Sequence, residues 1–391
     1  MRIVKKAALV ILALAVLGLI SFWVFAPAIV EKGSNTVKEH EPYPVSAQAA
    51  ALHETLVIGD WHADSLLWNR DLLKRGDYGQ VDFPRMASGN AAIQVFTTVT
   101  KSPAGQNYEE NSADARDNIT LLAFGQLWPM RTWNSRIERA LYQSEKLHNF
   151  QAEAPDVFRI IRTKSDLEAI LSDRTAGSKI MGAMMGAEGG HALDGEIANL
   201  DRMYDAGFRV MGLQHFFDNR LGGSLHGVSN AGLTDFGREV VNEMVAKSMI
   251  IDLAHSSPQV AADVLDMTDA PLIVSHTGVH GHCETKRNFP DELMQEIAAT
   301  GGLIGIGYWE EVTCNDSPVG VTATITAAID LLGVDHVSLG SDYDGSVETA
   351  FDISELAVLT DELLKAGLSD EDIAKVMGGN MVRFLLAALP N

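Results

Sequence analysis

Cysteine is scarce in this chain of 391 residues, which holds only Cys283 and Cys314. No CxxC pair exists, which argues against a thiolate zinc site. Basic residues are also short: 30 Lys and Arg stand against 52 Asp and Glu, a formal charge of −22. That balance argues against a nucleic-acid partner, which would need a basic face. Internal repeats and low-complexity tracts are absent. Long apolar runs are absent too, apart from one at the N-terminus. What remains has the composition of a globular chain, 46% hydrophobic and 21% charged, long enough for one large domain or two ordinary ones.

The N-terminal exception is informative. Arg2, Lys5 and Lys6 precede an uncharged apolar run over 7–30. At ~1.5 Å rise per residue it could cross a ~30 Å hydrocarbon core, and it exceeds the ~7–15-residue core of a secretory signal. The positive flank stays in the cytoplasm and sends the rest across. Ala26-Pro27-Ala28 is a poor cleavage site. The expectation is therefore residues 1–30 as a retained transmembrane anchor rather than a cleaved signal, 31–45 as a polar linker, and 46–391 as the folded domain. That domain is expected on the periplasmic or extracellular side of the cytoplasmic membrane, or secreted if the segment is removed. Outside the cytoplasm the two cysteines could pair.

Beyond the linker, short apolar stretches alternate with longer helical patterns, which predicts βα units and a parallel sheet. The strand candidates are "TLVIGD" (55–60), "AAIQVFTTV" (91–99), "IMGAMMGAE" (180–188), "FRVMGLQH" (208–215), "MIIDLAH" (249–255), "PLIVSHT" (271–277), "GLIGIGYW" (302–309) and "HVSLGSD" (336–342). Several are continuously apolar, as strands covered on both faces are. A helical stretch over 109–150 is broken near Pro129. Caps fall at Ser165, Thr234, Ser257-Pro258 and Ser369, and stops at Gly301-Gly302 and Gly333. The pattern predicts a (β/α)8 TIM barrel with inserted helices over 100–180, an open doubly wound sheet being the alternative.

Polar residues gather where the strand candidates end. His62 and Asp64 follow the first, Glu188 ends the third, His215 the fourth, His255 the fifth, His276 the sixth and Asp342 the eighth. Each alone has an ordinary explanation, as a structural histidine, a cap or a turn residue. Together, in a barrel, they converge on the face where active sites are built. The set is nitrogen and carboxylate oxygen without sulfur, which suits zinc and less specifically manganese, iron or cobalt. The candidates exceed what one catalytic ion needs. Two ions sharing a carboxylate would account for the surplus, with Glu188 as the natural bridge, and such a pair can hold an activated water.

These residues lie in motifs that resemble the membrane dipeptidase (renal dipeptidase) family, peptidase family M19 of the amidohydrolase superfamily. The resemblance runs from about residue 50 onward and rests on "GDWHAD", "GAEGGHAL", "VMGLQHFFDN", "IIDLAHSS", "PLIVSHT", "KRNFPDELM" and "GSDYDG". It implies two zinc ions, one held by His62, Asp64 and Glu188, the other by Glu188, His255 and His276. It also implies that His215 polarises the scissile carbonyl, that Arg287 pairs with the substrate's terminal carboxylate, and that Asp342 moves the proton. Cys283 and Cys314 become a plausible disulfide between the loops after the sixth and seventh strands. Two departures stand out. The lipid anchor at the C-terminus of animal members has no counterpart in "MVRFLLAALPN". The stretch "FFDNRLGGSLHG" after His215 resembles bacterial members and should line the pocket.

The expected activity is hydrolysis of dipeptides with a free C-terminal carboxylate, including D-configured C-terminal residues. The alternatives are a lactone or phosphoester hydrolase on the same metals, and a membrane-tethered binding protein with a structural metal. Expected partners are a dipeptide-like substrate, the membrane at the N-terminal helix and, as an assembly, a homodimer. His191 is expected to orient its loop, and His280 and His282 to border the pocket.

Overall fold

Nine parallel strands carry the structure, a computed structural model that describes residues 2–391. They are β1 (Ile58–Ala63), β2 (Ala91–Phe96), β3 (Phe158–Ile160), β4 (Met181–Ala187), β5 (Phe208–Gly212), β6 (Ile250–Asp252), β7 (Ile273–Thr277), β8 (Leu303–Ile306) and β9 (Val337–Leu339). Their order is β2-β1-β9-β8-β7-β6-β5-β4-β3, and β2 also pairs with β4, for example Ile93 with Gly182. That pairing closes eight of them into a (β/α)8 barrel. The ninth, β3, lines up with the start of β4 (Phe158 with Met181), and β5 takes over farther along (Met185 with Phe208). The first and last strands meet at a seam, where Asp60 lies opposite Leu339.

Alternation along the strands feeds two apolar clusters. Met181, Ala183, Met185 and Ala187 of β4 join one, and Met184 joins the other. Ile304 and Ile306 of β8 divide from Leu303 in the same way. Both faces of the sheet are therefore covered, which is why these strands read as unbroken apolar runs. Trp61 of β1 meets Phe384 of the last helix edge-on, ring centroids 5.6 Å apart.

The helix starts follow cap chemistry. Thr234 Oγ1 accepts from Gly237 N, Ser257 Oγ from Val260 N and Ser369 Oγ from Asp372 N, all as expected. One cap differs. The helix Lys164–Thr175 starts from Thr163, not Ser165, because Thr163 and Asp166 form a reciprocal capping box and Arg162 N also donates to Asp166. The first strand is also shifted. It runs three residues later than 55–60, so His62 lies inside β1 rather than after it. The expected 109–150 helix is broken at Leu127 and Pro129 into Asn118–Gly125 and Arg136–Glu153.

The N-terminal helix α1 spans Arg2–Ser34, and its Lys5–Ser34 stretch is long and apolar enough to cross a membrane. It runs into the segment expected to be linker, and the remainder of that segment is pinned to the barrel. Val37 pairs with Thr349, Lys38 bonds Asp316 at 2.7 Å, and Tyr43 Oη donates to Ala350 O at 3.0 Å. A polar, proline-containing composition reads as free chain, but its hydrogen bonds go to distant backbone that the sequence does not reveal.

Cys283 and Cys314 are joined by a disulfide, linking the loops after β7 and β8. Their separation of 31 residues closes a loop in the unfolded chain, typically worth about 2–4 kcal/mol. Replacing both by serine should lower the stability of the full chain by that amount in chemical denaturation. An unchanged midpoint would show that the cross-link adds nothing.

Candidate metal centre and active site

The strand ends are fastened before they present any ligand. Asp60 in β1 accepts from His62 N (3.0 Å), Ser341 N (2.9 Å) and Gln94 Nε2 (2.9 Å), which ties β1 to β2 and to the turn after β9. Asp252 at the end of β6 accepts from Ala254 N and Ser275 N, each at 2.9 Å, and so fixes the turn leading to His255 against β7. Gly340 must be glycine here, since a Cβ would lie 1.8 Å from Ser275 O.

Above this layer the expected side chains come together. His62 and His276 project from within β1 and β7, Glu188 follows β4 directly, and His215, His255 and Asp342 each lie three residues beyond their strands. Glu188 is the meeting point. Its carboxylate lies 3.2 Å from Nε2 of His215, 3.2 Å from His255 Nε2, 3.5 Å from His276 Nε2 and 3.5 Å from His62 Nε2. Asp64 and Asp342 stand 3.7 and 3.8 Å from His62 Nε2. All seven side chains are buried. His255 and Asp342 adopt left-handed backbone, φ 63° and 61°, a conformation non-glycine residues hold only under constraint. Gly345 gives Asp342 room, for a Cβ there would meet its Oδ1 at 2.1 Å.

The donor set fits metal ions. His62, Asp64 and Glu188 form one ligand-spaced triad, and Glu188, His215 and His255 another; His62, His276 and Asp342 form a third. Glu188 and His62 each belong to two of them. His255 Nε2 and His276 Nε2 are 2.9 Å apart, and His62 Nε2 has no hydrogen-bond partner. Ser275 Oγ lies 2.8 Å from His276 Nδ1 and 3.3 Å from His62 Nδ1. One hydroxyl oxygen can accept from both rings, leaving both Nε2 lone pairs free for a cation. Thr97 Oγ1 likewise holds Asp64 through a 2.7 Å bond.

The electrostatics express the same crowding. Burial, then the Asp64 charge, raises the Glu188 carboxyl well above its usual range. Burial depresses His62, but Glu188, Asp64 and Asp342 outweigh it and push the imidazole up to about 10. Burial raises Asp342 to about 7, with His62 opposing. It lowers His215 to about 4, and holds His255 and His276 well below the usual imidazole range.

Arg287 completes the arrangement. It is 1% exposed. Its Nη2 donates to His276 O at 2.8 Å, while Nε and Nη1 have no partner. It shares a cavity of about 700 Å³ with Asp64, Glu188, His215, His255 and Asp342.

Residues 46–388 match the family model described as membrane dipeptidase, peptidase family M19. The chain belongs to that family. It is a metal-dependent dipeptidase. It is 27% identical over 356 residues to dipeptidase aclJ of Aspergillus oryzae, covering 84% of this chain and 77% of that protein. Dipeptidase tcpJ of Claviceps purpurea is 29% identical over 322 residues, covering 78% and 69%. Among solved structures, an M19 metallopeptidase, dipeptidase AC, superposes with TM-score 0.71 at 23% identity, covering 86% of this chain and all of that one. A metallopeptidase from Rhodobacter sphaeroides, bound to a phosphinate mimic of L-Ala-D-Ala, gives 0.68 at 22%, covering 85% and 99%. These two likenesses speak for the fold.

Residues around the cavity differ in how legible they are from the sequence. Tyr108 lines the cavity from the long loop after β2, its hydroxyl accepting from Trp309 Nε1 at 3.0 Å. Phe216, within the stretch expected to line the pocket, does so. His226 packs behind it, 4.9 Å from Phe216 and 5.5 Å from His255. A motif reader could have found Ser275, which directly precedes His276. Tyr108 sits in no pattern at all. His280 and His282, expected at the border, are not among the lining residues; their loop is held by the disulfide and by Gly281 N donating to Asp291. His191 lies buried behind His215, ring centroids 6.5 Å apart.

His62 keeps its proton up to about pH 10 in the metal-free site, and a cation must displace it. Apparent metal affinity should therefore rise with pH below that limit, by up to about tenfold per pH unit for each proton displaced. Zinc titrations of metal-stripped full chain at two pH values below the limit would check this. A pH-independent affinity would contradict it.

Proposed function

We propose that the enzyme is a binuclear zinc dipeptidase, tethered by α1 to the outer face of the cytoplasmic membrane, with 46–391 as its catalytic domain. His62, Asp64 and Glu188 would hold one ion, and Glu188, His255 and His276 the other. When bound, the ions supply Lewis acidity and a water of lowered pKa. The chain's own residues do the rest. Arg287, buried and with Nε and Nη1 unpartnered, receives the terminal carboxylate of the dipeptide, a role its planar fork serves better than lysine. That anchoring sets the scissile carbonyl beside His215. Its imidazole, held neutral by burial, donates a hydrogen bond to the carbonyl oxygen as negative charge grows there. Asp342 accepts the proton of the attacking water. The C–N bond then breaks, and Asp342 returns the proton to the leaving amine. Burial has raised that carboxyl to about 7, which suits a group that must both take and give.

The observation carrying this reading is Arg287: a buried guanidinium with spare donors, in one cavity with the ligand cluster. A lactone carries no anionic group for it to receive. The ligand of the Rhodobacter sphaeroides structure, a mimic of L-Ala-D-Ala, supports acceptance of a D-configured C-terminal residue.

Arg287→Met should raise KM for dipeptides with little change in kcat, and Arg287→Lys should not restore it. Unchanged kinetics in both would remove the carboxylate anchor. Asp342→Asn should lower kcat by about 10²–10⁴-fold while elemental analysis still finds two zinc ions per chain. Loss of metal with loss of rate would instead make Asp342 a ligand. A screen of dipeptides with L- and D-configured C-terminal residues reads the stereochemical range directly.

A further inference from the structure

The helix α1 is fastened to the barrel. Glu31, in its last turns and 2% exposed, is ion-paired with Arg70, and Arg70 also pairs with the buried Asp344, two residues beyond Asp342. Ser346 N donates to Asn35 Oδ1 at 3.0 Å, and Gln80 Nε2 to Thr36 O at 3.2 Å. Farther back along α1, Trp23 packs on Phe124, ring centroids 5.9 Å apart, and Phe22 borders Gly125. The helix therefore sets the orientation of the whole catalytic domain relative to any bilayer it crosses.

The segment it touches has two unlike sides. Ile119, Ala123 and Trp128 face inward and join a small apolar cluster with Leu67, Trp68 and Val99. Leu121, Phe124, Leu127 and Met130 face outward and are 55, 40, 61 and 76% exposed. A helix face turned to water should be polar, and a contiguous exposed apolar patch marks an interaction surface. This patch lies directly beside a candidate membrane span. Counting about 20 residues from residue 7 for a ~30 Å hydrocarbon core brings the outer boundary to about residue 26. Trp23 then sits in the interfacial zone that tryptophan favours, and Phe124 lies against it at the same depth. The net charge of −22 argues against electrostatic adsorption, so the contact would be apolar.

Resting on the anchor reading above, we propose that Leu121, Phe124, Leu127 and Met130 seat in the outer leaflet of the bilayer that α1 crosses. Phe22, Pro27 and Val30 of α1 line the catalytic cavity together with Leu121 and Phe124. Seating this segment places that wall of the cavity at the lipid surface, and substrate reaches the metal centre along the membrane.

Both native cysteines are consumed in the disulfide, so a single introduced thiol can be labelled in the full chain. Leu17→Cys, Met130→Cys and Val157→Cys would each carry a polarity-sensitive fluorophore in phosphatidylcholine vesicles, with and without brominated acyl chains. Retained dipeptidase activity shows that each is folded. Leu17 lies inside the span, and Val157 precedes β3 at the far end of the barrel. Labels at 17 and 130 should show roughly two-fold loss of emission in brominated lipid, as for side chains ~5–10 Å below the headgroups, and the label at 157 none. Quenching at 17 with position 130 behaving like 157 overturns the seating and leaves the anchor standing. No quenching at 17 overturns the anchor reading, and the seating with it.

Discussion

Four imidazole nitrogens aim at one buried carboxylate, and the rest of the structure is arranged to permit it. Glu188 has Nε2 atoms of His62, His215, His255 and His276 within 3.5 Å, and Asp64 and Asp342 stand close by. Without positive charge at its centre, such a cluster buries carboxylates against one another, and the raised Glu188 and Asp342 express that strain. Cations relieve it. The layer beneath exists to hold the geometry meanwhile: Asp60 and Asp252 stitch neighbouring strands, and Ser275 aligns two rings at once. Rigidity below is what allows unfavourable chemistry above.

Much of this could be read from the chain. Apolar strands ending in ligands survive as a signal because a barrel puts every strand end on one face, so regular spacing becomes proximity. Glu188, His255 and Asp342 were legible for that reason, and Arg287 through the motif around it. What escaped did so for physical causes. The strand β3 is three residues long, too short for any periodicity. The true cap at Thr163 competed with an equally good pattern two residues on, and a backbone donor at Arg162 decided it. Tyr108 reaches the cavity from a long loop, where position depends on tertiary contacts alone. The segment 31–45 has the composition of a tether, yet it is bonded to residues some 300 positions away.

That last contact fixes how α1 stands on the barrel. A free linker would leave the barrel loose from α1, whereas a helix locked through Glu31, Arg70 and Asp344 hands its own tilt to the candidate site. Arg70 is the hinge pin of this arrangement: one guanidinium answers two buried carboxylates, and removing it would strand both. Asp344, which answers Arg70, and Asp342 of the ligand cluster thus share a single turn.

The seam between β1 and β9 has a consequence for how the molecule comes into being. His62 and Asp342 flank that seam, where Asp60 faces Leu339 and Ala63 pairs with Tyr343. The earliest and latest strands to leave the ribosome must therefore find each other before this cluster is complete. A polypeptide still threading outward holds His62 and Asp64 without their neighbour from the far end of the chain, and the cluster closes only when the circle is joined.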